Sequence, residues 1–544
     1  MAPRSAASMK RLTLIACILG SGIVLLDGTV VNVALPRIQL ALGGGLAAQQ
    51  WVVNGYLLTL SSLILIGGSL GDLYGERRIF TLGVSGFGVA SLVCALAPSE
   101  GVLVAARALQ GIAGALLVPS ALAVIINTFD ESERGGAIGS WTAWGAIAGM
   151  LGPLIAGELL ALGSWRLIFL INIPLAAVCV SLILLAVPKA RPREPGARRV
   201  DLPGALLCAG GLAGFVFALI EQPRLGWTSP VVLVPLIGGI LLLGCFVAYE
   251  GRASDPMLPL ALFRRRNFSA GNVETFSMYA GLAILFFFLV LFLQQVGGYT
   301  PLQSGLATLP VTVVMFVLSR RFGALADRFG PRLFMGAGPV VGACGLLLLQ
   351  RVSLRVDYVS EILPALLVFA IGLALTVAPL TAAVLAGAGE GQAGIASGVN
   401  NAVARVAGLL GTAALGAVIA ASFGATLESR LHGTKLGASA RAVLEQAKRL
   451  ALGRPDVHAL PPAQGRVLTS AAAQASLHSF HLGMAIAAAL VACGGAVGAL
   501  GIRNPGRQVH AEACPAGQLV GASAEVTETV GSGPLEAQPT GSRA

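Results

Sequence analysis

The chain has 544 residues, 56% hydrophobic and only 11% charged, with a mean hydropathy of +0.82. A soluble protein of this length would divide into roughly three or four domains and carry about 25% charged residues. Polar surface is too scarce for that, and the same arithmetic excludes a disordered chain, a disulfide scaffold and a fibre. The net charge of +11 falls in short basic clusters between apolar runs, without aromatic interleaving, so it reads as topology signal and no nucleic-acid partner is expected.

A membrane-crossing helix needs about 20 predominantly apolar residues. Fourteen runs qualify: 12–35, 50–70, 79–97, 102–126, 137–162, 167–187, 202–222, 228–249, 269–293, 304–325, 333–350, 359–386, 395–422 and 480–502. Arg4, Lys10 and Arg11 precede the first run as in a secretory signal, but the run continues to Leu35 and many spans follow, so it is the first span. With a cytoplasmic N-terminus, 22 of the 36 Lys and Arg fall on the inside, counting Arg320 and Arg321 at the inner end of the run 304–325. The short outside loops then hold only Arg37, Arg166, Arg224, Arg351 and Arg355. Shifting the frame by one span inverts this asymmetry, so both termini are expected in the cytoplasm of a multi-pass cell-membrane protein.

The expected organisation is an N-terminal segment 1–11, a six-helix half 12–187, two inserted helices in 188–250, and a second half 251–502, with a tail 503–544 rich in Gly, Ala, Pro and Glu and expected to be disordered. The second half contains a long outside loop, 423–479. Within it Val443, Leu444, Ala447, Leu450 and Ala451 recur at helical spacing, which predicts a short amphipathic helix either on the membrane surface or packed on the loop. Seven cysteines sit singly in apolar segments and Cys514 lies in the tail, a distribution that predicts neither disulfides nor a metal site.

The two halves repeat. Gly68, Leu70, Asp72, Gly75 and Arg77 recur 255 residues later as Gly323, Leu325, Asp327, Gly330 and Arg332. Gly149 to Gly152 likewise matches Gly408 to Gly411 at an offset of 259. Parallel halves related by an axis along the membrane normal are a transporter architecture, with the substrate cavity at their interface. That cavity is expected between spans one, four, five, nine and thirteen.

Over residues 12–502 the chain resembles the major facilitator superfamily, and within it the fourteen-span drug:proton antiporters. "LDGTVVNVALP" (Leu26 to Pro36) is similar to the family's first-span motif, "GSLGDLYGERR" (Gly68 to Arg78) to its signature loop, and "RALQGIAGA" (Arg107 to Ala115) to its fourth-span motif. "GAIAGMLGPLIAG" (Gly145 to Gly157) is similar to its fifth-span antiporter motif, and "WRLIFLINIP" (Trp165 to Pro174) follows it. Glu76 departs from the loop motif, which usually has a basic residue there. The resemblance implies an all-α membrane fold of two six-helix halves plus two central helices. It also implies a conformational latch at Gly68, Asp72, Gly75, Arg77 and Arg78, repeated at Asp327 and Arg332.

Charges inside spans need an explanation, because each costs about 2.5 to 3.5 kcal/mol on insertion scales. At 1.5 Å per residue, Asp27 lies roughly 12 Å and Arg107 roughly 8 Å below the outer surface, at similar depth in the first half. Moving an arginine toward or away from a carboxylate changes the carboxylate's affinity for a proton, a physical route to proton coupling; the alternative is a static pair that fixes packing. The position 255 residues after Asp27 is Leu282, so the second half lacks this acid. Its own embedded charges, Glu274 and Arg405, are candidates for substrate contact, the alternative for Glu274 being an interfacial, snorkelling carboxylate. Asp72 ends the second span, where a carboxylate can cap a neighbouring helix. Gly145, Gly149 and Gly152 line one helix face and permit close backbone contact, while Pro153 and Gly157 follow.

No lysine follows a glycine in a phosphate loop, and no buried nucleophile with a base is visible, so neither ATP hydrolysis nor an embedded enzyme is favoured. The expectation is a proton-coupled exporter of amphipathic small molecules, monomeric, surrounded by lipid and without a cofactor. Solute uptake by the same fold is the alternative.

Overall fold

The computed structural model describes residues 6–187, 201–388, 393–434, 436–448, 451–453 and 455–504. The tail from 505 onward, the basic linker 188–200, and the side chains of Asp72 and Asp327 lie outside the described residues. Among the described residues every regular element is helical. The first half comprises α1 (Ala6–Leu42), α2 (Leu46–Tyr74), α3 (Glu76–Leu96), α4 (Glu100–Thr128), α5 (Glu131–Ala161), α6 (Leu167–Leu170) and α7 (Asn172–Ala186). Then come α8 (Leu202–Leu225) and α9 (Pro230–Glu250). The second half comprises α10 (Arg266–Gln295), α11 (Pro301–Phe329), α12 (Pro331–Leu348), α13 (Leu363–Ala388), α14 (Ala393–Leu431), α15 (Ala438–Lys448) and α16 (Pro462–Gly501). Among the described residues fourteen helical stretches are long and apolar enough to cross a membrane, α6 and α7 together making one of them.

Local chemistry sets several boundaries. Asp201 accepts the Gly204 N–H at 2.9 Å and starts α8. Thr300 and Gln303 form a reciprocal capping box ahead of α11, with Pro301 in its first turn. The repeated loop motif builds the same turn twice. Gly75 (φ +91°) joins α2 to α3 and Gly330 (φ +85°) joins α11 to α12, each with its N–H bonded four residues back, to Gly71 at 2.9 Å and Ala326 at 2.8 Å. Positive φ with extended ψ is a conformation that glycine alone adopts readily.

The apolar core divides in a way that fixes the shape of the molecule. At the end away from Ala6 and Asn504, here the distal end, one continuous cluster joins both halves, from Leu26 to Ile38 and Trp165 on one side to Phe287, Leu293 and Phe369 on the other. At the end that holds Ala6 and Asn504 each half has its own cluster, one around Cys17, Phe80 and Ile183, the other around Phe268, Met335 and Ile502. The buried apolar cores are thus continuous distally and divided at the other end, where the halves still touch at points such as Gly398 of α14 beside Leu65 of α2. The inserted helix α8 lies across the seam: Val216 and Ile220 pack with Leu409 and Ala413 of α14, and Glu221 accepts the Trp51 Nε1–H of α2 at 3.0 Å.

The segment 423–479 is mostly helical: α14 runs on to Leu431 and α16 begins at Pro462, well before the apolar stretch starts. The amphipathic helix forms as α15, with Ala440 and Ala447 buried and Val443 and Leu444 packed on the main core; it ends at Lys448, so Ala451 lies in a turn beyond it, and Leu450 lies outside the described residues. Its apolar face is therefore turned onto the protein.

Candidate functional site

The halves enclose a cavity of about 850 Å³, within the range of small-molecule sites. Its walls come from α1, α4, α5, α10 and α14, as the sequence predicts, and also from α2, α11 and α13. Aromatic and aliphatic side chains dominate, among them Tyr56, Tyr279, Phe286, Phe287 and Met315, interrupted by Asn32, Thr312, Asn401 and Thr412.

The distal end of the cavity is sealed by contacts between halves. Gln50 Nε2 donates to the Thr412 carbonyl at 2.6 Å, Thr412 Oγ1 donates to Asn54 Oδ1 at 3.0 Å, and Gln294 Nε2 donates to the Val33 carbonyl at 2.9 Å. Backbones also meet closely there. A Cβ on Gly157 would lie 2.5 Å from the Leu302 Cα, and one on Gly305 would lie 2.6 Å from the Pro153 carbonyl oxygen. Toward the other end the lining continues through Gly68, Ile126, Ile395 and Met257.

The glycines of α5 divide their work. A Cβ on Gly145 would crowd Leu25, and one on Gly152 would overlap the Thr29 hydroxyl of α1, whereas Gly149 faces open space. Thr29 Oγ1 is within 3.2 Å of the Gly149 carbonyl, a contact that requires the close approach. In the second half, Gly411 sets α14 against Ala280 of α10 in the same way.

Asp27 and Arg107 form an ion pair, each 1% exposed. It sits inside a network drawn from most of the first half. Asp27 Oδ1 also accepts from Asn172 Nδ2 at 3.1 Å and Gln110 Nε2 at 3.4 Å. Arg107 donates through Nε to the Val52 carbonyl at 3.0 Å and through Nη1 to Gln110 Oε1 at 2.8 Å, and its guanidinium carbon lies 4.3 Å from the centre of the Tyr56 ring. Ser91 Oγ accepts from Gln110 at 2.7 Å and from Asn172 at 3.3 Å, tying α3 to α4 and α7. Asp27 points into its own half, while Arg107 also lines the cavity. Sequence reasoning missed Gln110, Asn172, Ser91 and Tyr56. Gln110 had a signal, three residues after Arg107 and so on the same helix face.

The second half differs. Glu274 on α10 is fully buried, with neither carboxylate oxygen hydrogen-bonded, and it faces α16 at Gly498 rather than the cavity. Arg405 on α14 does line the cavity, and its buried Nε has no hydrogen-bond partner. Among the described residues no carboxylate pairs with it.

The loop arginines bind within their own halves. Arg77 Nη2 donates to the Leu184 carbonyl at 3.0 Å, near the end of α7, and Arg332 Nε donates to the Ala499 carbonyl at 2.7 Å, near the end of α16. Each ties the third helix of its half to the sixth, and cations are favoured at these helix C-termini. Arg78 lies in the first turn of α3 beside Arg77, and Gly68 lines the cavity.

The sequence profile of the Major Facilitator Superfamily matches residues 17–412. The multidrug resistance protein Stp of Mycobacterium tuberculosis (strain CDC 1551 / Oshkosh) is 37% identical over 422 residues, 77% of this chain and 78% of that one. The tetracenomycin C resistance and export protein of Streptomyces glaucescens is 35% identical over 461 residues, 83% of each chain. Among solved structures, an inward-facing, unoccupied bacterial homolog of the human lysosomal transporter Spinster superposes with a TM-score of 0.59 at 17% identity, covering 90% of this chain and 97% of that one.

Proposed function

The chain belongs to the major facilitator superfamily, and from that premise we propose that it exports amphipathic organic compounds in exchange for protons. The family is one of transporters rather than enzymes. Relatives named for multidrug resistance and for resistance to and export of an antibiotic support efflux as the direction. The two-fold repeat, the split core and a cavity open away from the distal seal support alternating access.

The observation that carries proton coupling is the double position of Arg107, which lines the cavity and also pairs with buried Asp27. A compound arriving in the cavity reaches Arg107 from one side while Asp27 holds it from the other. If Arg107 shifts toward the substrate, Asp27 loses its strongest partner and takes up a proton; the return stroke reverses this. Arg107 is not stranded meanwhile, because the Val52 carbonyl, Gln110 and the Tyr56 ring remain to it. Asp72 and Asp327 act as latches between the halves, with Gly75 and Gly330 making their turns. Gly145, Gly149, Gly152, Pro153 and Gly157 form the surface on which α5 rolls against α1 and α11. With the basic segments inside, the cavity opens to the cytoplasm of the cell membrane. One chain contains the whole pathway, so a monomer suffices.

Susceptibility of a deletion strain to a compound panel identifies a substrate. Proton movement is then measured in proteoliposomes when that substrate is added. Asp27→Asn, which cannot titrate, is expected to abolish it while substrate binding persists; wild-type proton movement would place coupling elsewhere. Solute uptake predicts the opposite direction of flux in inverted vesicles.

A further inference from the structure

The cavity carries an imbalance of charge that proton exchange does not use. Among the described residues, the charged ones that line it are Arg107, Arg405, Asp201 and Asp255. Arg107 is neutralised by Asp27. Asp201 is occupied at the start of α8, accepting the Gly204 N–H at 2.9 Å and the Met257 N–H at 3.3 Å, and Asp255 is exposed in the connection between α9 and α10. Among the described residues Arg405 alone brings an uncompensated charge into the helical part of the cavity. The hydroxyl-bearing rings of Tyr56 and Tyr279 line the cavity with it, and among the described residues no carboxylate pairs with it. An unpaired guanidinium at this depth is costly, and a buried donor without a partner adds to the cost, so packing alone does not account for it.

We propose that the cavity selects anionic amphipaths, compounds with an apolar ring system and one acid group, and that the guanidinium of Arg405 is the acid's partner. This names the substrate class of the transport reading and rests on it. The guanidinium offers a planar fork of donors that matches a carboxylate, sulfonate or ionised enol in two-point contact. Tyr279, Phe286 and Phe287 supply aromatic surface for the ring system. Low polarity around the fork strengthens the pairing relative to water. A cationic compound would meet a like charge with nothing to offset it.

The test uses two probes of one framework, 1-anilinonaphthalene-8-sulfonate and uncharged N-phenyl-1-naphthylamine, titrated onto the full chain in nanodiscs and corrected against empty nanodiscs. The wild type is expected to bind the sulfonate about tenfold or more tighter than the amine, the worth of one charged hydrogen-bonded pair. Arg405→Gln is expected to remove that preference and leave amine affinity within about twofold, and Arg405→Lys to keep part of it, as a point charge without the fork. Equal affinity of the wild type for both probes overturns the proposal without any variant. Equal loss of both probes in a folded Arg405→Gln protein also overturns it, because the arginine would then be shaping the cavity. Sulfonate preference together with absent proton-driven flux supports this inference and counts against proton-coupled export instead.

Discussion

Asp27 on α1 and Arg405 on α14 sit in the two halves of one repeat, and they meet opposite environments. Asp27 is enclosed by Arg107, Gln110 and Asn172, three donors from two other helices, so its charge is satisfied within the first half. Arg405 faces the cavity with its Nε unbonded, and nearby α10 buries the bare carboxyl group of Glu274 on its far side. The scaffolds nonetheless agree in detail: the Gly75 and Gly330 turns, the Arg77 and Arg332 ties, and the Gly152 and Gly411 helix contacts correspond. A repeated backbone therefore does not impose repeated chemistry. One half is built to hold a charge closed, the other to present one.

The largest expected effect breaks the closed side. Arg107→Ala leaves Asp27 buried with amide donors alone, and removing one partner of a buried pair costs about 3 to 5 kcal/mol. It is expected to lower the melting temperature in detergent sharply, whereas Arg405→Gln, which removes an unpaired charge, leaves it unchanged or raised. Equal destabilisation by both would erase the distinction between the halves. Next, Leu282→Asp places a carboxylate among the residues that line the cavity with Arg405; the structural counterpart of Asp27 is instead the buried Met278, since Gly411 meets Ala280 as Gly152 meets Thr29. An internal anion competes for the guanidinium, so sulfonate affinity in nanodiscs is expected to fall by about tenfold. A smaller effect compares the two turns. Gly75→Ala and Gly330→Ala each force a side chain into positive φ at about 1 to 3 kcal/mol. At Gly330 the added Cβ would also overlap the side chain of Asn504; thermal unfolding of the two variants checks that each is destabilised. The smallest is Trp51→Phe, which removes the bond to Glu221 and is expected to cost about 0.6 kcal/mol, near the average for hydrogen bonds between membrane helices.

Much of this was legible in the chain because hydropathy and charge are coarse signals. A run such as 269–293 has one way to be buried in a bilayer, and a charge such as Arg107 announces itself against leucines. Depth could be read by counting residues, but direction around the helix could not. Glu274 and Tyr279 are five residues apart, roughly 140° at 3.6 residues per turn, so one faces α16 while the other faces the cavity. Neutral polar residues such as Gln110 and Asn172 were invisible for a related reason: an amide is tolerated in a span, and its role emerges only when Asp27 is beside it. The early start of α16 was hidden by Gln464, Arg466, Thr469 and Ser470, which are compatible with helix but end the apolar signal.

The attachment of α8 has a consequence for how the halves slide. Its bond from Trp51 has one geometry and fastens it to α2. Val216 and Ile220 meet α14 through Leu409 and Ala413, apolar contacts with no fixed register. A helix held by a pin on one side and by grease on the other behaves as a bearing. On the alternating-access reading proposed above, it would travel with the first half and let the second glide past, so two extra spans would widen the protein in the bilayer without adding a latch that every stroke would have to break.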